Sequence, residues 1–187
     1  ERFEVHLEQL QTNYLDELLL HWPTREENDL NFLSFLAPYL QKWIIKQIGV
    51  SNFPLPYLQK LWSHLPFPLS CNQIELHPCL FDPQMLEFAQ SHHLEIVAYS
   101  PLGHGHLLKN PTIIKIAKKH QASPAQICLA RCLSQWVSVI SKASTSEKLT
   151  QNLNSELIHL DSQDFDLIAS LPKHYRYNNP PFSPAWN

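Results

Sequence analysis

A parallel α/β fold is what this 187-residue sequence predicts, and three observations predict it. Short apolar runs of strand length alternate with segments whose apolar residues recur at helical spacing. Most of those runs end in polar residues just before a helix begins, which is where α/β proteins hold their ligands. The length suits one domain with a substantial core, and is short for two.

The elements follow in order. "FEVHLEQLQ" carries Phe3, Leu7 and Leu10 at helical spacing and reads as a short amphipathic helix. "YLDELLLHW" is an apolar run ending in His21 and Trp22, a buried strand. "NDLNFLSFLAPYLQKW" is helical, with Asn28 or Asp29 as the expected N-cap and Pro38 expected to kink or split it. "IKQIGVSN" is a strand tipped by Ser51 and Asn52, and Pro54 opens the helix "PLPYLQKLWSHL". "SCNQIELH" alternates Ile74 and Leu76 with polar partners, again a strand. A helix, "PQMLEFAQSHH", and a strand, "LEIVAYS", come next. "NPTIIKIAKKH" and "SPAQICLARCLSQW" are helices, the second with Ser123 as cap and Pro124 in its first turn. "VSVISK" is the fifth strand. "STSEKLTQNL" is a helix with a Ser/Thr cap and Glu147 in its first turn, and "DSQDFDLIASL" is another. The tail "KHYRYNNPPFSPAWN" reads as a loop laid over the body.

Bulk properties narrow the function. A formal net charge of −3 gives no electrostatic footprint for nucleic acid. Apolar runs such as Leu18 to Leu20 and Trp43 to Ile45 are too short to span a bilayer. No leader is expected from the opening residues, and Glu1 is not expected to be an untouched translation start, since the single methionine is Met85. Cys71, Cys79, Cys128 and Cys132 lack paired zinc spacing and read as reduced, partly buried thiols of a cytoplasmic protein. With three glycines, several helices must end without one.

The strand tips collect His21, Ser51, Asn52, Asn72 to His77, Tyr99, Ser100 and Lys142. An imidazole, hydroxyls, amides, an aromatic ring and an ammonium group suit an amide-bearing ring with a distant phosphate. Taken singly, His21 and Tyr99 read equally as core residues and Lys142 as a solvated lysine. On pattern alone a doubly wound open sheet competes with a (β/α)₈ barrel; the lack of a Gly-rich phosphate loop after any strand lowers the former. A Schiff-base role for Lys142 is a further alternative.

Six stretches, "TNYLDELLLHWP", "IGVSNF", "NQIELHP", "AYSPLG", "SPAQICLAR" and "VISKASTSEKLTQNL", resemble successive signatures of the aldo-keto reductases, in register from about Leu7 to the tail. "GHGHLLKNP" and "PAWN" are similar to the small bacterial members that reduce 2,5-diketo-gluconate or methylglyoxal. The resemblance implies a TIM-type (β/α)₈ barrel that reduces an aldehyde or ketone to an alcohol with NADPH. By position it implies that His21 is the catalytic histidine and that Trp22, His77 and Trp186 line the substrate pocket. Ser51, Asn52 and Gln73 would hold the nicotinamide carboxamide, and Tyr99 would stack on the ring. Ser100 and Leu102 would lie under the pyrophosphate, and Lys142, Lys148 and Asn152 would grip the 2′-phosphate and adenine.

Departures follow from the same resemblance. Residues 1–187 would be one oxidoreductase domain without its N-terminal third, an incomplete barrel of about five of eight βα units closed by a C-terminal loop over 172–187. The family's catalytic tyrosine, aspartate and lysine have no matching position; Tyr14, Tyr39 and Tyr57 lie elsewhere. The chain alone is therefore expected to be inactive, the missing third belonging to a longer natural chain, to a second polypeptide that completes the barrel as a partner, or to a segment trimmed away. A non-catalytic remnant, or a cofactor-binding or regulatory module, is the alternative. The edge strands would leave Leu18, Leu20 and Val139 underpacked. Trp43 stands where the family has a helix-ending glycine, Ser141 replaces a proline, Ala143 a serine and Lys148 an arginine.

Overall fold

The structure, a computed structural model, describes residues 2–173 and 175–186, without the side chains of Arg2 and Phe3. The Phe3 contribution to the first helix, and the tail's His174 and Asn187, lie outside that description. Five strands alternate with helices, and strand order follows chain order, β1-β2-β3-β4-β5. The chain forms two compact units, Glu1–Gln73 with Gln84–Glu95 and Pro181–Asn187, and Ile74–Pro83 with Ile96–Pro180.

The first unit holds α1 (Arg2–Gln9), β1 (Leu15–Leu20), α2 (Glu26–Gln41), β2 (Ile45–Ser51), α3 (Leu55–Trp62), the start of β3 (Cys71–Glu75) and α4 (Pro83–Ser91). β1 runs parallel to β2 with Leu15 opposite Ile45 and Leu20 opposite Val50. β2 runs parallel to β3 with Val50 opposite Asn72 and Ser51 opposite Gln73. Gly49 is required there: a Cβ would sit 2.8 Å from the Cys71 Sγ and 2.9 Å from its carbonyl oxygen. The core is Leu33, Leu36, Ile45, Ile48, Phe53 and Leu58, all buried. Burying these side chains is the main force holding the helices to the strands.

Two expectations for α2 fail. The helix starts at Glu26 after Arg25, which makes no side-chain cap bond, so neither Asn28 nor Asp29 is the N-cap. The buried Asp29 instead accepts from the Thr24 N–H (2.9 Å) and hydroxyl (2.6 Å) and from the Tyr57 hydroxyl (2.6 Å). It fixes the approach to the helix rather than capping it. Nor does Pro38 split the helix, which is continuous through it. Pro38 lies in the last turn, where one missing N–H costs one bond while buried Leu33 and Leu36 hold the preceding turns.

The second unit holds the end of β3, β4 (Glu95–Tyr99, from Ile96), α5 (Pro111–Lys119), α6 (Pro124–Leu133), β5 (Ser138–Val139), α7 (Ser146–Leu153) and α8 (Ser162–Ala169). β4 and β5 run parallel, with Val97 opposite Ser138 and Ala98 opposite Val139. The fifth strand is two residues long, shorter than "VSVISK" suggested, although the Ile140 N–H still donates to the Ala98 carbonyl. The caps expected of α6 and α7 form. Ser123 and Gln126 make a reciprocal capping box, with Pro124 in the first turn, and Thr145 accepts from the Lys148 N–H. Cys79, Leu107, Ile113, Ile116, Ile127 and Ile168 lie at the centre of the core of this unit.

Helices do end without glycine. Gln11, Trp43, His93 and Gln121 take left-handed φ of 52° to 58° just after their helices. In each case the next N–H reaches back five residues, for example Ile44 to the Tyr39 carbonyl and Leu94 to that of Ala89. This is the Schellman closure that glycine normally serves. Trp136 is a fifth such residue, φ 58°. Leu18, Leu20 and Val139 are half-buried, as the edge positions predicted. All four cysteines are free and buried. Among the described residues no cluster of His, Cys, Asp or Glu could hold a metal, and no helix is long and apolar enough to cross a membrane.

Candidate active site

In the first unit the tips of β1, β2 and β3 come together through hydrogen bonds. Asn52, 1% exposed with φ 65°, donates from Nδ2 to the His21 carbonyl (3.0 Å) and to the Ser51 hydroxyl oxygen (3.1 Å). The Ser51 hydroxyl and the Asn52 N–H both donate to the Gln73 carbonyl, at 2.8 and 2.9 Å. A left-handed conformation suits Asn better than most residues and turns its amide back across the tips. His21, Ser51, Asn52 and Gln73 are thereby one bonded group. The His21 side chain is exposed. Trp22 stands beside it, ring centroids 6.0 Å apart, and meets Phe182 and Trp186 edge-on at 5.6 and 6.1 Å. Phe182 had no place in the sequence reading; it joins through the aromatic tail.

Asn72 faces the other way. It accepts from the Phe53 N–H (3.4 Å) and donates to the Phe53 carbonyl (2.8 Å), tying the start of α3 to β3.

In the second unit Tyr99 is half-buried, and burial together with the Glu75 carboxylate pushes its hydroxyl up to about 12. Ser100 follows at φ 49° and accepts from the Asn178 amide at 3.3 Å. Leu102 packs against the core of that unit. Asn152 donates to the Ser141 hydroxyl oxygen (3.2 Å), while the Lys142 and Lys148 side chains are exposed. His77 is fully buried and so forms no exposed wall in this chain; its Nδ1 accepts from the Cys79 N–H at 3.2 Å.

Glu75, which the sequence reading included in the Asn72 to His77 strand tip, had no role of its own there. It is buried, and its two carboxylate oxygens accept from the Tyr177 and Asn178 N–H groups, both at 2.9 Å. His77 Nε2 lies 3.5 Å from one oxygen and Arg176 4.0 Å from the other. Burial alone would raise its pKa, yet His77 and the two backbone donors hold the carboxyl below the usual range. The signal was present in "NQIELH": a carboxylate flanked by Ile74 and Leu76 on a buried strand must find partners. Tyr177 is further held between the His104 and His106 rings, stacked at 5.4 and 5.0 Å. A Cβ on Gly103 would lie 2.9 Å from the Tyr177 ring.

Residues 1–173 match the model of the aldo/keto reductase family. The methylglyoxal reductase DkgB of Salmonella typhi is 34% identical over 185 residues, covering 97% of this chain and 69% of that protein. The glyoxal reductase of Bacillus subtilis is 33% identical, covering 93% of this chain and 63% of its own length. Among solved structures, a mutant of Gox0644 in complex with NADPH superposes with a TM-score of 0.87 at 29% identity, over 98% of this chain and 69% of that one.

Proposed function

The chain belongs to the aldo/keto reductase family, and on that premise we propose that its residues serve NADPH-dependent reduction of an aldehyde or ketone to an alcohol. The observation that carries the reading is the bonded group at the β1–β3 tips, where a buried Asn52 holds its amide against Ser51 and the His21 backbone. The Ser51 hydroxyl hydrogen and the Asn52 amide hydrogens are bonded to protein oxygens in this structure, so a bound cofactor would have to take them over. Amide and hydroxyl groups can pair with both ends of a nicotinamide carboxamide, and exposed Lys142 and Lys148 suit a phosphate. NADPH, when bound, supplies the hydride.

The chain's own residues supply binding and orientation. Ser51, Asn52 and Gln73 hold the carboxamide, and Tyr99 presents a ring face. Ser100 and Leu102 support the pyrophosphate. Lys142, Lys148 and Asn152 take the adenine end. His21 orients the carbonyl oxygen from its exposed imidazole, and Trp22 with Trp186 walls the substrate. On this reading the chain carries no counterpart of the family's tyrosine, aspartate or lysine. General-acid help of ~10²–10⁴-fold is then lacking, and the chain by itself binds cofactor without turnover. A longer natural chain or a second polypeptide bringing those groups is what this reading predicts.

Titrating the purified chain with NADPH, by tryptophan quenching and nicotinamide fluorescence, tests the reading. Saturable binding weakened by Asn52→Ala and by Lys148→Glu is the expected outcome. A folded protein that shows no saturation defeats it, and favours a non-catalytic family member that has kept the motifs without the site.

A further inference from the structure

Away from the strand tips, the second unit contains an open cavity of about 270 Å³. Tyr175 and Tyr177 of the tail line it together with His106, which stacks on Tyr177, and with the apolar Leu107 and Pro172. Lys109, Cys79 and Asn110 complete the lining. The Tyr177 wall is fixed twice, by its N–H on the buried Glu75 and by its stacking on His106 at 5.0 Å. Tyr175 meets Tyr177 edge-on at 4.6 Å. Asn110 has its carbonyl oxygen committed to the N–H groups of Thr112 and Ile113, which leaves its amide NH₂ as the group a ligand could use.

The lining fixes the ligand chemistry. Among the described residues no acidic side chain lines the cavity, and Lys109 is a cation in its lining. The α5 N-terminus that Asn110 caps adds positive potential in the same place. A cationic ligand would meet no counter-charge there. A nucleotide is too large, since the volume falls below the ~300–1,000 Å³ of ordinary ligand pockets. An aromatic lining with a single ammonium selects a flat apolar body with one negative charge. We propose that this cavity is a binding site for a small aromatic monocarboxylate, separate from the residues assigned to cofactor and carbonyl. The ring would lie against Tyr175, beside the histidine-stacked Tyr177, and the carboxylate would meet Lys109 and the Asn110 amide.

Benzoate is the probe, titrated into the full chain while backbone amide resonances are followed. Saturable shifts at Leu107–Asn110 and Tyr175–Tyr177 are expected. Benzamide, the neutral analogue, should bind at least about fivefold more weakly, since it forgoes a charge-assisted contact. Lys109→Gln should weaken benzoate by a similar factor and leave benzamide unchanged, and Tyr175→Ala should weaken both. Lys109 is exposed, so its replacement leaves the fold intact. Shifts that never saturate, shifts located elsewhere, or equal benzoate affinity in Lys109→Gln overturn the proposal. An NADPH titration of the same sample reports separately on the strand-tip reading.

Discussion

Trp136 offers a substitution whose effect follows from two numbers. Its φ is 58°, and its side chain is 96% exposed. A Cβ in the left-handed region costs about 1–2 kcal/mol. The few per cent of the ring that is buried, about 10 Å² of an indole, returns only ~0.25 kcal/mol. Glycine would relieve the strain but free the unfolded chain, losing about 0.4–1 kcal/mol. The net for Trp136→Gly is a gain of about 0.5 kcal/mol, which is 1–2 °C in melting temperature for a chain of this size. Trp136→Ala keeps the Cβ and should match the parent, leaving glycine ahead of alanine by about 0.8 kcal/mol. Trp43 is the control. It has the same φ but is 73% exposed, so about a quarter of its ring is covered. Losing some 65 Å² there costs about 1.6 kcal/mol, more than the ~0.8 kcal/mol of relief left after the unfolded-chain cost, so Trp43→Gly should destabilise by about 0.8 kcal/mol. Urea unfolding followed by far-ultraviolet circular dichroism reads all three without depending on the lost fluorophore. A Trp136→Gly protein no more stable than Trp136→Ala would refute the strain argument.

Other perturbations test the buried polar groups and close contacts. Glu75→Gln replaces one carboxylate oxygen by an NH₂ facing a backbone donor and should cost about 2–3 kcal/mol. Because the folded pKa of Glu75 is depressed, its contribution is present above the ordinary glutamate range and lost as pH falls through the folded value. An acid melt of the parent should therefore show a downward step that Glu75→Gln lacks. Asp164, fully buried, is held down to about 2: burial opposes ionisation, but Lys119, His120 and the Asp161 N–H outweigh it. Its stabilisation is present above pH 4 and fades toward pH 2; Asp164→Ala should remove the α8 capping box at a cost of about 1–2 kcal/mol, measured at neutral pH. Gly49→Ala forces a methyl to within 2.8 Å of both Cys71 Sγ and a Leu19 methyl carbon and should destabilise by about 1–3 kcal/mol, read from urea midpoints.

Much of the fold was legible because the apolar period changed cleanly between strands and helices. "IKQIGVSN" and "SPAQICLAR" show it: an apolar run against a polar tip, and a Ser-Pro start with Gln three residues after the Ser. What failed were local rules overridden by tertiary partners. Asp29 looked like a cap from its neighbours in sequence, but its carboxylate is claimed by Tyr57, 28 residues away. Pro38 looked like a break, yet the buried residues before it carry the helix through. At the site, Ser51 and Asn52 were legible as polar groups with no local partner. Their tie to the His21 backbone was not, because it joins residues some thirty positions apart. Glu75 and the tail are more than a hundred positions apart, beyond the reach of any periodicity.

The pairing of Glu75 with Tyr177 and Asn178 also equips the chain with an internal clock. Both amide hydrogens end on one carboxylate that solvent does not reach. Neither can exchange with deuterium until residues 175–178 lift away, so the two should change together and at one rate. Deuterium uptake in a peptide spanning these residues would time that opening directly.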